Sequence, residues 1–143
     1  MKKHAFLMSL LLTLLLAAGC GSPAEQRSSA IPEKMRVDAA LAQKAADTAK
    51  TVPGVRDATA VAVDGALLVG IKVAGFDRLR LKPTRNQVHA KAGRLGQGYD
   101  VQVTADKKLY AELREAAAQI EAGALAPALL QKEILKIRRD MQP

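Results

Sequence analysis

The sequence predicts a small α+β domain: a three-stranded sheet covered by helices, in the order helix, strand, strand, helix, strand, helix, helix. Three observations carry this. Two runs of period two flank Asp64-Gly65, apolar residues on either side recur at steps of three and four, and residues 20–143 suit one core with no room for a second of similar size.

Asp38 is placed to cap a first helix, with Val37, Leu41, Ala45, Ala49 and Val52 along one face and Pro53-Gly54 closing it. Thr59, Val61 and Val63 then alternate with Ala58, Ala60 and Ala62, and after Asp64-Gly65 the alternation resumes at Leu67, Val69, Ile71 and Val73. Asp-Gly between such runs marks a tight hairpin, because both turn positions favour residues that tolerate positive φ. Gly75 to Lys82 reads as a basic loop. A second helix opens at Pro83 or Thr84, buries Val88, Ala92 and Leu95, and stops at Gly96 and Gly98. Tyr99, Val101 and Val103 form a third strand. Asp106 caps a third helix carrying Leu109, Leu113, Ala116 and Ile120, and Gly123 ends it. Pro127 begins a last amphipathic helix with Leu130, Ile134, Ile137 and Met141, suited to pack on the domain or to dock a partner. The sheet is expected to offer one apolar face, for the first two helices to cover.

Ahead of this domain stands an address. Lys2 and Lys3 precede Ala5 to Ala18, in which only Ser9 and Thr13 are polar. That is a secretory signal in length and flanks, short for a membrane span of ~20 residues. Leu16-Ala17-Ala18-Gly19-Cys20 follows and resembles a bacterial lipobox, although the leucine sits one position further out than is commonest. Cleavage between Gly19 and Cys20 would leave the cysteine thiol to take up a diacylglyceryl group. Two or three acyl chains of the palmitate type anchor a protein stably at ~0.8 kcal/mol per buried CH₂. The expected organisation is a lipoprotein signal peptide over 1–19, a lipidated Cys20 with a flexible polar tether over 20–37, and an α+β domain over 38–143. The expected location is the cell or spore membrane, with the domain on its extracytoplasmic side.

Composition narrows the chemistry. The formal charge is +8, Trp is absent, Tyr and Phe number two each, and Cys20 is the one cysteine. No internal disulfide or multi-cysteine metal site is available, so no metal and no cofactor are expected. Export and the lack of stacking aromatics argue against a nucleic-acid partner. Gly93-Arg94-Leu95-Gly96-Gln97-Gly98 closes a helix before a strand, the reverse of the order a phosphate loop needs.

Several segments together resemble the YhcN/YlaJ family of sporulation lipoproteins. They are the lipobox, Val52-Pro53-Gly54-Val55, Ala58 to Val63 with Asp64-Gly65, Leu68-Val69-Gly70-Ile71, and Val101-Gln102-Val103-Thr104-Ala105-Asp106 before Leu109. The resemblance spans residues 38 to 140. Lys107 departs from it, standing where proline is frequent. The resemblance implies a spore-associated lipoprotein of the cell envelope linked with spore germination, no enzymatic activity, and no catalytic residues to carry over. The element order is also similar to BON-type and ring-building modules of envelope proteins, an analogy of fold that favours binding over catalysis.

One surface is singled out by charge. Asp77 to Tyr99 carries Arg78, Arg80, Lys82, Arg85, Lys91 and Arg94 against Asp77 alone. These are candidates for contact with an anionic partner: wall or cortex polymer, an acidic protein of the spore envelope, or the bilayer, at ~1 kcal/mol per residue facing lipid. The alternative to a spore role is a vegetative envelope module of BON type that binds anionic phospholipid or peptidoglycan through this segment. His4 falls in the expected signal peptide and Cys20 is expected to be lipidated, so His89 has no second histidine or free cysteine with which to share a metal and reads as a surface residue. Glu112, Glu115 and Glu121 read as solvent-facing charges of the third helix.

Overall fold

The structure, a computed structural model, describes residues 35–123 and 127–142, without the side chains of residues 76–78 and 127. The expected signal peptide, Cys20 and the tether as far as residue 34 lie outside the described residues. Elements follow the order α1 (Ala39–Lys50), β1 (Val55–Val63), β2 (Ala66–Val73), a 3-10 helix (Gly75–Arg80), α2 (Leu81–Leu95), β3 (Asp100–Thr104), α3 (Lys107–Ala122) and α4 (Pro127–Asp140).

The hairpin forms where the Asp-Gly signal places it. Asp64 has φ 47° and Gly65 φ 76°, the conformation that a two-residue turn between twisted strands needs. β1 and β2 pair antiparallel from Val63↔Ala66 back to Val55↔Val73, and β3 adds parallel to β2. A parallel neighbour requires a crossover connection, which α2 supplies. The strand order β1-β2-β3 puts β2 at the centre.

Both faces of this sheet are covered, against the single apolar face expected. Ala58, Ala60 and Ala62 of β1 and Leu67, Val69 and Ile71 of β2 pack with Ala45, Ala46 and Ala49 of α1 and with Val88 and Ala92 of α2. The opposite parity, Val61, Val63, Ala66 and Leu68, packs with Leu113 and Ala116 of α3 and Leu130, Ile134 and Ile137 of α4. The misreading has a physical source. Alanines alternating with valines look like a weak outer face, yet alanine on the strand against alanine on α1 lets helix and sheet approach closely. α4 therefore packs on the domain through its expected apolar positions.

Two boundaries also differ. Gly75 to Arg80 is a 3-10 helix running into α2, which begins at Leu81, ahead of Pro83. The first helical N–H groups have no partner inside the helix, so a proline in that turn costs no hydrogen bond and need not mark the start. Residues 35–37, placed in the tether by the sequence, are tied to the sheet. Met35 packs on the α3–α4 side, the Arg36 N–H donates to Asp64 Oδ1 at 2.8 Å, and Val37 bridges to Val63. The two helix caps are as expected: Asp38 accepts the Leu41 N–H at 2.9 Å, and Asp106 accepts those of Lys108 and Leu109. Among the described residues no helix is long and apolar enough to cross a membrane.

Gly70 sets how closely α3 lies on β2. A Cβ there would stand 3.2 Å from Leu113 Cδ1 and 3.3 Å from both Thr59 Cγ2 and the Tyr110 Cα, a backbone atom with little freedom to retreat. Gly70→Ala is expected to destabilise the domain by about 1–3 kcal/mol. Gly93→Ala, in the helical interior of α2 with nothing within 4 Å of the added methyl, is expected to stabilise it by about 0.5–1 kcal/mol. Urea denaturation of the two variants beside the parent checks both signs.

Candidate functional site

β3 stops at Thr104, opposite Gly70, whereas β2 continues to Val73. No β3 residue lies opposite Ile71, Lys72 and Val73, and the gap is a groove. Its walls are this end of β2, the start of α3 and Leu81 of α2, and it encloses about 980 Å³. Ile71, Val73, Leu81, Ala105 and Ala111 give it an apolar lining. Arg56, Lys72, Lys107 and Arg114 bring cationic groups to it from three elements.

Arg56 reaches the groove because β1 is irregular. Asp57 pairs with Lys72 and Val55 with Val73, so Arg56 is an extra residue on its strand. Strict alternation would put Arg56 on the α1–α2 face with Ala58. The bulge instead turns it toward α3 and sends Val55 to the α1–α2 core. Re-aiming a side chain is a common effect of a bulge at a sheet edge.

Tyr110 is the pivot of the site. Its hydroxyl donates to Asp57 Oδ2 at 2.6 Å, and Lys72 Nζ stands 4.5 Å from the centre of its ring. Burial, then the hydrogen bond to Asp57 and that carboxylate's charge, push the Tyr110 hydroxyl up to about 12. The same hydrogen bond holds Asp57 below its ordinary value, with lesser help from the Ala58 N–H and the charges of Lys50 and Lys72, against partial desolvation. Tyrosine and aspartate thus fix one another, and both titrate well away from neutrality.

The four cations are not neutralised from within. Among the described residues none of Arg56, Lys72, Lys107 and Arg114 has a carboxylate within 4 Å. Of the two acids lining the groove, Asp106 caps α3 and Glu115 accepts from Gln119 at 3.1 Å, and both keep their charge. On α4 the pattern reverses. Lys136 contacts Glu112 and Asp140, and Arg138 contacts Asp100 at 2.8 Å. The lining of the groove thus carries four cations against two carboxylates around an apolar floor.

The basic segment that the sequence singled out does not gather into one patch. Lys91 donates to Thr51 Oγ1 at 2.9 Å. At 3.6 residues per turn, Arg94 points about 180° away from Arg85 around α2. Arg80 and Lys82 are exposed on either side of Leu81, next to the groove wall, and the Arg78 side chain lies outside the described residues. His89 is exposed and donates from Nε2 to the Val101 carbonyl at 3.1 Å. Of the three α3 glutamates, Glu112 is partly buried and paired with Lys108 and Lys136, while Glu115 and Glu121 are exposed. No group of three or more potential metal-ligating His, Cys, Asp or Glu residues occurs among the described residues. Sequence reading missed the groove because its cations are far apart in the chain. The one local hint was Lys107, where the resembled family often has proline.

A scan against models of protein families matches residues 23–137 to the family described as Sporulation lipoprotein YhcN/YlaJ. The chain belongs to that family. This agrees with the resemblance read from the sequence, and it makes the protein a sporulation lipoprotein. Searches of curated proteins and of solved structures found no match.

The Tyr110–Asp57 bond predicts how stability depends on pH. Asp57 is lowered on folding, so its contribution is present above the unfolded carboxylate value and is lost as pH falls through the folded one. Tyr110 is raised from 10.0 to about 12, so its contribution is present below pH 10.0 and is lost as pH rises through about 12. Tyr110→Phe keeps the ring under Lys72 but removes the bond. It is expected to cost about 1 kcal/mol near neutral pH, a modest figure because Asp57 is only partly buried. The difference from the parent should shrink in strong acid and again above the tyrosine range, as followed by urea denaturation across pH.

Proposed function

We propose that this protein is a non-enzymatic, lipid-anchored component of the spore envelope. Cys20 holds it to the cell or spore membrane, and its domain, on the extracytoplasmic side, supports spore assembly or germination through contact with an anionic partner. The observation that carries the reading is the groove, where Arg56, Lys72, Lys107 and Arg114 surround an apolar floor with no carboxylate within 4 Å of them among the described residues. Four cations lining the groove against two carboxylates leave an excess of positive charge that favours an anionic partner, and that relief is available to binding without any reaction. A general acid or base is most effective with a pKa near the working pH, and the Tyr110–Asp57 pair is shifted the other way. Arg80 and Lys82, beside the groove wall, extend the same positive field. Family membership supports the sporulation role and the lipid anchor, and the lipobox at residues 16–20 supports Cys20 as the attachment point.

Fractionating cells through growth and sporulation, with Cys20→Ala beside the parent, tests this. The protein is expected only in sporulating cells and in their spore membranes, with recovery in the membrane fraction lost in Cys20→Ala. Steady presence in growing cells would overturn the spore role and favour a vegetative envelope-binding module.

A further inference from the structure

We propose that the groove beside Tyr110 is a binding site for an anionic amphiphile, a molecule with one acidic head group on an alkyl chain. The inference rests on reading this groove as the contact site, and it names the chemistry of the occupant. Two features of the groove have to be matched together. Lys72 and Arg56, from the β1–β2 hairpin, and Lys107 and Arg114, from the first turns of α3, supply cations suited to a phosphate or carboxylate. Half-buried Val73 and Leu81 continue the lining as an apolar wall that a bare anion would leave wet. A volume of about 980 Å³ lies at the upper end of the range for small-molecule sites, larger than an inorganic anion needs.

The polar groups are already oriented. Tyr110 is buried, and its hydroxyl is committed to Asp57, so the ring is fixed beneath Lys72 before any ligand arrives. The bulge holds Arg56 on the same side. Asp106 and Glu115 keep their charge while accepting these bonds from the α3 cap and from Gln119, so the lining carries four cations against two carboxylates, and the excess is left for an incoming head group. The amphiphile reaches the groove either free in solution or as an anionic lipid of the bilayer to which the chain is tethered. Head group and chain are common to both sources.

The test uses the chain from residue 20 onward with Cys20→Ser, so that no acyl group of its own competes. Both hydrophobic cores are retained whole, since they lie within residues 35–141. Octyl phosphate below its micellar concentration is the probe, with inorganic phosphate and octanol as its separated halves. The readout is amine acetylation, followed residue by residue by mass spectrometry. Octyl phosphate is expected to protect Lys72 and Lys107 while leaving exposed Lys44 and Lys132 unchanged, and neither half alone should do so. Arg114→Gln should weaken the protection about tenfold, the loss expected for one charge-assisted contact. Phosphatidylcholine vesicles with and without phosphatidylglycerol separate the sources. Protection by the anionic vesicles assigns a bilayer lipid, and protection by octyl phosphate alone assigns a free amphiphile.

Equal labelling of all four lysines would overturn the proposal, as would protection by inorganic phosphate equal to that by octyl phosphate. Either result, beside Cys20-dependent recovery of the native protein in spore membranes, would remove the amphiphile and leave the lipoprotein reading intact.

Discussion

The structure depends on β2 having no side that meets water along most of its length. Ala66 to Ile71 is buried without a break, paired on one edge with β1 and, as far as Gly70, on the other with β3, and covered on its two faces by α1–α2 and α3–α4. A strand in that position satisfies its backbone through its neighbours, and its side chains have only apolar surroundings. With almost no aromatic residues to fill space, the domain builds two thin cores from Val, Leu, Ile and Ala. Each core needs close approach, which is why alanine faces alanine on one side and glycine meets the α3 backbone on the other.

The groove follows from the end of that arrangement. Where β3 stops, β2 loses a neighbour on one edge, and Lys72 and Val73 emerge from cover. The bulge at Arg56 and the cap at Asp106 lie at the same end of the sheet, so irregularity in β1, termination of β3 and initiation of α3 coincide. Each has its own local cause. Their coincidence collects four cations in one place, none of them with a carboxylate within 4 Å among the described residues. By contrast, the positive charge of α4 is spread among Glu112, Asp140 and Asp100 and is largely spent within the fold.

How much of this could be read in advance varies with the range of the interaction. Asp38 and Asp106 were recognisable as caps because a cap acts within one turn of its own helix, and Asp64-Gly65 because a two-residue turn is decided by its own φ angles. The apolar positions of α3 and α4 were legible from their spacing alone. The second covered face was not, since Ala58, Ala60 and Ala62 carry little hydrophobic signal until α1 is known to lie on them. The charge-rich stretch from Arg78 to Arg94 drew attention by its density in sequence, but helical geometry disperses part of it around α2.

Sequence by itself determined the element order, the hairpin, the helix caps, the signal and lipobox pattern, and the family resemblance, all of which rest on residues within a few positions of one another. The tertiary structure alone decided the parallel placing of β3, the extra residue in β1 and the meeting of Arg56, Lys72, Lys107 and Arg114. The physical reason is that strand register and strand length are set by packing across the whole sheet. A difference of three residues between the end of β3 and the end of β2 leaves no mark in local spacing, yet it opens the groove.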